Sequence, residues 1–213
     1  MTTLNYLGLD EKKVQPVVNG LSQLLADFQV FYANLRGLHW NVKGKRFFSL
    51  HAKYEELYND AAEKIDEIAE RLLQLGATPE NRFSEYLKVS SIKETGNQPT
   101  GKEGVETVLN NLSNLIKQER ELSKLASEID DNATVGLIDG FLEGQEKTVW
   151  MLVSFLDKSY KAETIRLACF ATLVYIWLKT LGSDLVKRVA AFLYLYVDKG
   201  RGLIELQLAG MGI

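Results

Sequence analysis

His39 and His51 are the only histidines in a chain of 213 residues, and they stand 12 positions apart. Imidazole nitrogens are good ligands for first-row transition metals, and carboxylates complete the sets that hold redox-active iron. The segment after His51 is rich in carboxylates. With residues placed at about 100° per position and His51 set at 0°, Glu55 falls near 40°, Asp66 near 60° and Glu70 near 100°. The apolar stripe of the same segment occupies about 240–340°. His51, Glu55, Asp66 and Glu70 therefore share a face that adjoins the core instead of opposing it. Ala62, Ala69 and Leu73 give that face a partly apolar wall. An imidazole and several carboxylates beside apolar surface are what an iron site with open positions needs.

Length along the helix then limits which residues can share an ion. His51 and Asp66 are 15 residues apart, roughly 22 Å along the axis. Metal–ligand bonds are about 2 Å, so these two cannot hold one ion within one chain. A two-fold dimer with antiparallel copies of this helix would bring His51 of one chain beside the acidic pair of the other, giving two identical sites. The other reading is that the polar residues are unrelated. A lone Asp or Glu on a helix is normally solvated, and a histidine at a helix end can be a cap or a packing residue.

These residues need long helices to carry them, and the pattern supplies four. From Asp10 to about Leu38, apolar residues recur at Val14, Val17, Leu21, Leu24, Phe28, Phe31, Leu35 and Leu38, in steps of three and four. NVKGKRF interrupts this pattern. A second stripe runs Leu50, Tyr54, Leu57, Ala61, Ile65, Ile68, Leu72 and Leu75, in a helix expected from about Phe48 and stopped by Gly76. Thr78 to Gly101 reads as a long connection with one short helix near Phe83 to Leu87. A third helix is expected over Lys102 to Ile129 and a fourth over Thr134 to Leu156, broken by Asp130, Asp131 and Asn132. The expectation is all-α: a four-helix bundle with one long middle crossover, the up-down-down-up topology of ferritin-like bundles.

Composition excludes several classes. Hydrophobic residues are 46% and charged residues 25%, which argues against disorder. The single cysteine, Cys169, cannot form an internal disulfide. Residues through Tyr160 hold 18 basic and 24 acidic side chains, whereas those from Lys161 onward hold 7 and 4. The chain reads as an acidic body, 1–160, with a basic, apolar extension, 161–213. The N-terminus lacks a signal-peptide pattern, and the longest apolar run, Leu167 to Leu178, is short for a membrane span, so a cytoplasmic location is expected. In the extension, Thr164 to Leu181 and Leu185 to about Asp198 read as helices. They would pack on the bundle or its neighbours, or dock on a membrane surface or a protein partner.

The run LRGLHWNVKGKRFFSLHAKYEELYNDAAEKIDEIAERLLQLG resembles the signature of the Dps family, the ferritin-like mini-cages named as DNA-binding proteins from starved cells. PENRFSEYL in the connection and VWMLVSFLDK in the last helix match as well, and the resemblance covers about residues 4–160. It implies a di-iron ferroxidase site shared between two subunits, with His39 and His51 from one and Asp66 and Glu70 from the other. It also implies that Glu55 lies near the second iron position, that Trp40 scavenges oxidising equivalents, and that hydrogen peroxide is the oxidant. Two-fold dimers would build a dodecameric cage that stores the mineral, with Glu128, Asp130 and Asp131 near an acidic iron-entry pore. The usual single-chain ferritin site uses Glu-x-x-His motifs, but Arg36 and Phe48 precede the two histidines at that spacing. DNA binding through the N-terminus is not expected, because residues 1–15 hold only Lys12 and Lys13 against Asp10 and Glu11. The competing expectation is a ferritin-like scaffold that acts by docking through residues 161–213.

Overall fold

The computed structural model describes residues 2–96 and 101–157, which form helices joined by turns and connections with no strand among them. The elements are α1 (Thr3–Leu7), α2 (Glu11–Asn41), α3 (Phe47–Gln74), α4 (Phe83–Val89), α5 (Gly101–Ser127) and α6 (Asn132–Leu156). The expected extension lies outside the described residues. No described helix is long and apolar enough to cross a membrane.

The apolar stripes do what their spacing predicts. Every stripe residue of α2, from Val14 to Leu38, is buried, as are those of α3 except Ile65, which is half-buried. Asp10 caps α2 by accepting from the Lys12 and Lys13 amides at 2.8 and 3.2 Å. The glycine stop of α3 is a Schellman turn: Gly76 has φ +77°, its N–H donates to Leu73 O, and Ala77 N–H donates to Leu72 O. The first long helix runs past the expected end at Leu38 to Asn41. No breaker intervenes before Gly44, at φ +97°, and Asn41 donates its side-chain N–H to Gly37 O. His39 and Trp40 consequently sit on the last helical turn. α1, which no apolar periodicity announces, is a short helix that buries Leu4.

Packing fixes the topology. α2 lies along α3 and α5, α5 along α6, and α4 rests on α2. A Cβ at Gly101 would stand 2.7 Å from Leu50 Cδ1, and one at Gly104 would stand 2.6 Å from the Tyr54 hydroxyl. The start of α5 therefore lies beside the start of α3. At the other end, Arg71 of α3 meets Asp131 and Thr134 at the start of α6. Thus α3 and α5 run the same way, as the long crossover requires, and α6 returns. Asp27 of α2 ties the crossover down. Fully buried, its carboxylate accepts from Ser90 Oγ at 2.7 Å, Ser91 N at 2.6 Å and Ile92 N at 3.1 Å. Burial alone would raise its pKa, but the hydrogen bonds from Gln23, Ser90, Ile92 and Gln118 together hold it below the ordinary value.

Candidate metal centre

Residues 42–46 turn the chain so that α3 starts against the end of α2, and this brings the two histidines into contact. Their rings stack with centroids 3.8 Å apart and planes inclined by 20°. Each ring is held by the backbone of the other. His39 Nδ1 lies 2.8 Å from His51 O, and His51 Nδ1 lies 3.0 Å from His39 O. A carbonyl oxygen only accepts, so both Nδ1 atoms carry hydrogen, and Nε2 is left as the atom through which each ring can meet a metal. Backbone bonds of this kind fix the tautomer and ring orientation of metal-binding histidines. Phe47 stacks on the outer face of His51 at 4.9 Å, and Tyr58 meets His39 edge-on at 5.3 Å. These two aromatic walls were not identified from the sequence, although both lie within seven residues of His51.

Glu55, one turn beyond His51, completes the group. One ligand atom from each of His39, His51 and Glu55 lies within 4.8 Å of the others, with the histidines half-buried and the glutamate exposed. Two imidazoles and one carboxylate form a mixed nitrogen and oxygen set suited to iron, with room for further ligands.

The remaining candidates fall elsewhere. Asp66 and Glu70 stand outside this cluster, exposed further along α3, as their helical distance requires. Trp40 is 65% exposed and turns its indole toward the Arg36 guanidinium, 4.8 Å away. Glu128 and Asp130 are exposed at the α5–α6 turn, where Asp130 adopts φ +59°. Asp131 faces inward within the chain: it is 2% exposed and pairs with Arg71 Nη2 at 2.5 Å. It also accepts from Thr134 N and Oγ1, capping α6.

Comparison with known proteins decides the family. A family model, Ferritin-like domain, matches residues 18–161. The DNA protection during starvation protein of Porphyromonas gingivalis is 52% identical over 155 residues, spanning 73% of this chain and 98% of that one. The chain belongs to the Dps family of mini-ferritins. Among solved structures, the Dps protein of Vibrio cholerae O1 superposes with a TM-score of 0.69 at 46% identity, covering 70% of this chain and 94% of its own. That protein is named as a member of a broad superfamily of ferritin-like diiron-carboxylate proteins. A Dps protein from Bacillus brevis gives a TM-score of 0.67 at 38% identity, covering 68% and 98%. The Dps fold accounts for the all-α bundle and its long crossover. The family model ends at residue 161.

Proposed function

We propose that this Dps-family chain is an iron-storing ferroxidase that oxidises Fe²⁺ to Fe³⁺, with hydrogen peroxide as electron acceptor, and so protects against oxidative damage. The observation that carries the reading is the stacked histidine pair, whose reciprocal backbone bonds leave both Nε2 atoms for a metal. His39, His51 and Glu55 offer one half of the site. The other half comes from the partner subunit's Asp66 and the partner subunit's Glu70, because the same residues of one chain are too far along α3 to reach. The naming of the Vibrio cholerae Dps protein as a ferritin-like diiron-carboxylate protein supports iron as the substrate.

Two Fe²⁺ held together give peroxide both electrons it needs to become two waters, so no hydroxyl radical is released. Few protein ligands and open positions suit a metal that enters, reacts and leaves for the mineral. Trp40, exposed and next in sequence to His39, is read as the group that intercepts oxidising equivalents escaping the site. The assembly is a homo-oligomer built from two-fold dimers into a dodecameric cage, with Glu128 and Asp130 on the acidic approach that draws Fe²⁺ inward. Residues 161–213, beyond the family match, are read as an appendage to this machinery.

The test is stopped-flow oxidation of anaerobic Fe²⁺ by peroxide. A fast phase consuming two irons per peroxide is expected in the intact chain, and Asp66→Ala should slow it by roughly a hundredfold, as loss of one of the two carboxylates in its half of the shared set implies. Equal rates for the intact chain, the variant and buffer would remove the ferroxidase reading.

A further inference from the structure

Arg36 stands one helical turn before His39 on α2, on the same face, where Cβ atoms three residues apart are about 5–6 Å from each other. It is half-buried, and no carboxylate among the described residues pairs with it. Its guanidinium carbon lies 5.1 Å from the centre of the Tyr32 ring and 4.8 Å from that of Trp40. Nη1 donates one long hydrogen bond, 3.5 Å, to the Tyr32 hydroxyl, and Nε is buried without an acceptor. A guanidinium offers five N–H donors, so most of its capacity here is unused. The two rings fix this cation without neutralising it. It also occupies the place that a Glu-x-x-His motif gives to a metal-binding carboxylate.

We propose that Arg36 binds inorganic phosphate at the edge of the metal centre, and that this phosphate is the counter-ion which the iron-loaded site needs. Binding to the iron-free chain stands on Arg36 alone, whereas the effect on iron rests on the ferroxidase reading above. Two Fe²⁺ bring four positive charges to that site. Glu55, the partner subunit's Asp66 and the partner subunit's Glu70 answer with three negative charges. Arg36 adds a positive charge in place of a fourth carboxylate, so the loaded site carries a surplus of two.

Phosphate suits both partners. Its oxygens accept charge-assisted hydrogen bonds from a guanidinium fork, and an arginine resting against aromatic rings is weakly hydrated and ready to make them. Phosphate oxygens are also hard ligands for iron, which has open positions beside His39, His51 and Glu55. Each Fe²⁺ that becomes Fe³⁺ adds one positive charge, so the anion holds the oxidised pair more tightly than the reduced pair. By linkage the same difference favours oxidation. Phosphate itself breaks no bond and changes no oxidation state; the electrons pass from iron to peroxide as before.

The experiment has two readouts on the full chain in phosphate-free buffer. Isothermal titration of inorganic phosphate into the iron-free protein should show saturable binding at one phosphate per chain. Arg36→Gln should weaken it by roughly tenfold, as loss of charge-assisted hydrogen bonds implies, and Arg36→Lys should keep part of it as a point charge. Stopped-flow oxidation of Fe²⁺ by peroxide, against a protein-free blank at the same phosphate concentration, should quicken severalfold with phosphate in the intact chain and not in Arg36→Gln. Absent binding, or equal binding by Arg36→Gln, overturns the phosphate site. Phosphate without effect on an assembly that Arg36→Gln loosens overturns it too, and gives the guanidinium to a carboxylate of a second copy. Binding that depends on Arg36 beside a fast phase indifferent to phosphate overturns the counter-ion role. Binding that depends on Arg36 with iron oxidised no faster than in the blank overturns the ferroxidase reading and leaves the phosphate site standing.

Discussion

Glu119 occupies a place that an apolar residue would ordinarily hold. It falls in the α5 stripe Val105, Val108, Leu112, Leu115, Glu119, Leu122, Ala126, and it is fully buried. One carboxyl oxygen accepts from Gln145 Nε2 at 2.5 Å, while its Oε2 and Gln145 Oε1 are both buried without a partner. Burial pushes the Glu119 carboxyl up to about 7, although the Gln145 hydrogen bond and the Lys64 charge oppose the rise; Asp60 adds to it. In its neutral form the group becomes a donor, which is what the unpartnered Gln145 oxygen lacks. The folded pKa lies above the ordinary 4.5, so the folded chain holds the proton more tightly than the unfolded chain does. Its stabilisation is therefore full below about 4.5 and is lost as pH rises through about 7. Unfolding followed between about pH 5 and pH 8 should show a decline on the order of 1–3 kcal/mol from this group, absent in Glu119→Gln. An unchanged pH slope in that variant would assign the decline to other residues.

At the scale of elements, one buried ion pair joins the end of α3 to the start of α6. Arg71 donates from Nη2 to Asp131 at 2.5 Å and from Nε to Thr134 Oγ1 at 2.8 Å, while Asp131 caps the new helix. Asp131→Ala strips a buried guanidinium of its counter-charge and α6 of its cap, so chemical unfolding should register a loss of about 3–5 kcal/mol. Adding Arg71→Leu should recover part of that loss by removing the stranded charge. If Asp131→Ala kept its stability and only slowed iron uptake, the residue would belong to the entry pore after all. The stripes of α2 and α3 and the stop at Gly76 were legible in the sequence because each is decided within a few turns of chain. The inward turn of Asp131 was not, because Arg71 lies 60 residues away in sequence and only the fold brings it there. That the two histidines serve one site was implied by the family resemblance, not by their twelve-residue step. Their stacking and mutual backbone bonds depend on how residues 42–46 return the chain, which no residue-by-residue pattern encodes.

On the scale of the whole molecule, the proposed ferroxidase site makes a quantitative demand on assembly. His51 and Asp66 lie roughly 22 Å apart along one helix, so a ligand set that includes both needs two chains. Take two defective chains, His51→Ala and Asp66→Ala, each without the fast phase when it assembles alone. Unfolded together in equal amounts and reassembled, half of the dimers are mixed if the chains pair at random. In a mixed dimer one site combines both defects, and the other receives its histidines from the Asp66→Ala chain and its carboxylates from the His51→Ala chain. That second site is intact. The mixture should thus recover about a quarter of the parental fast-phase amplitude, at the parental rate constant, because intact sites are parental sites. A site contained within one chain gives no recovery at any mixing ratio. A uniform low rate in place of a reduced amplitude would mean that each half retains activity without the other. Measuring amplitude and rate constant in the same stopped-flow trace separates these outcomes.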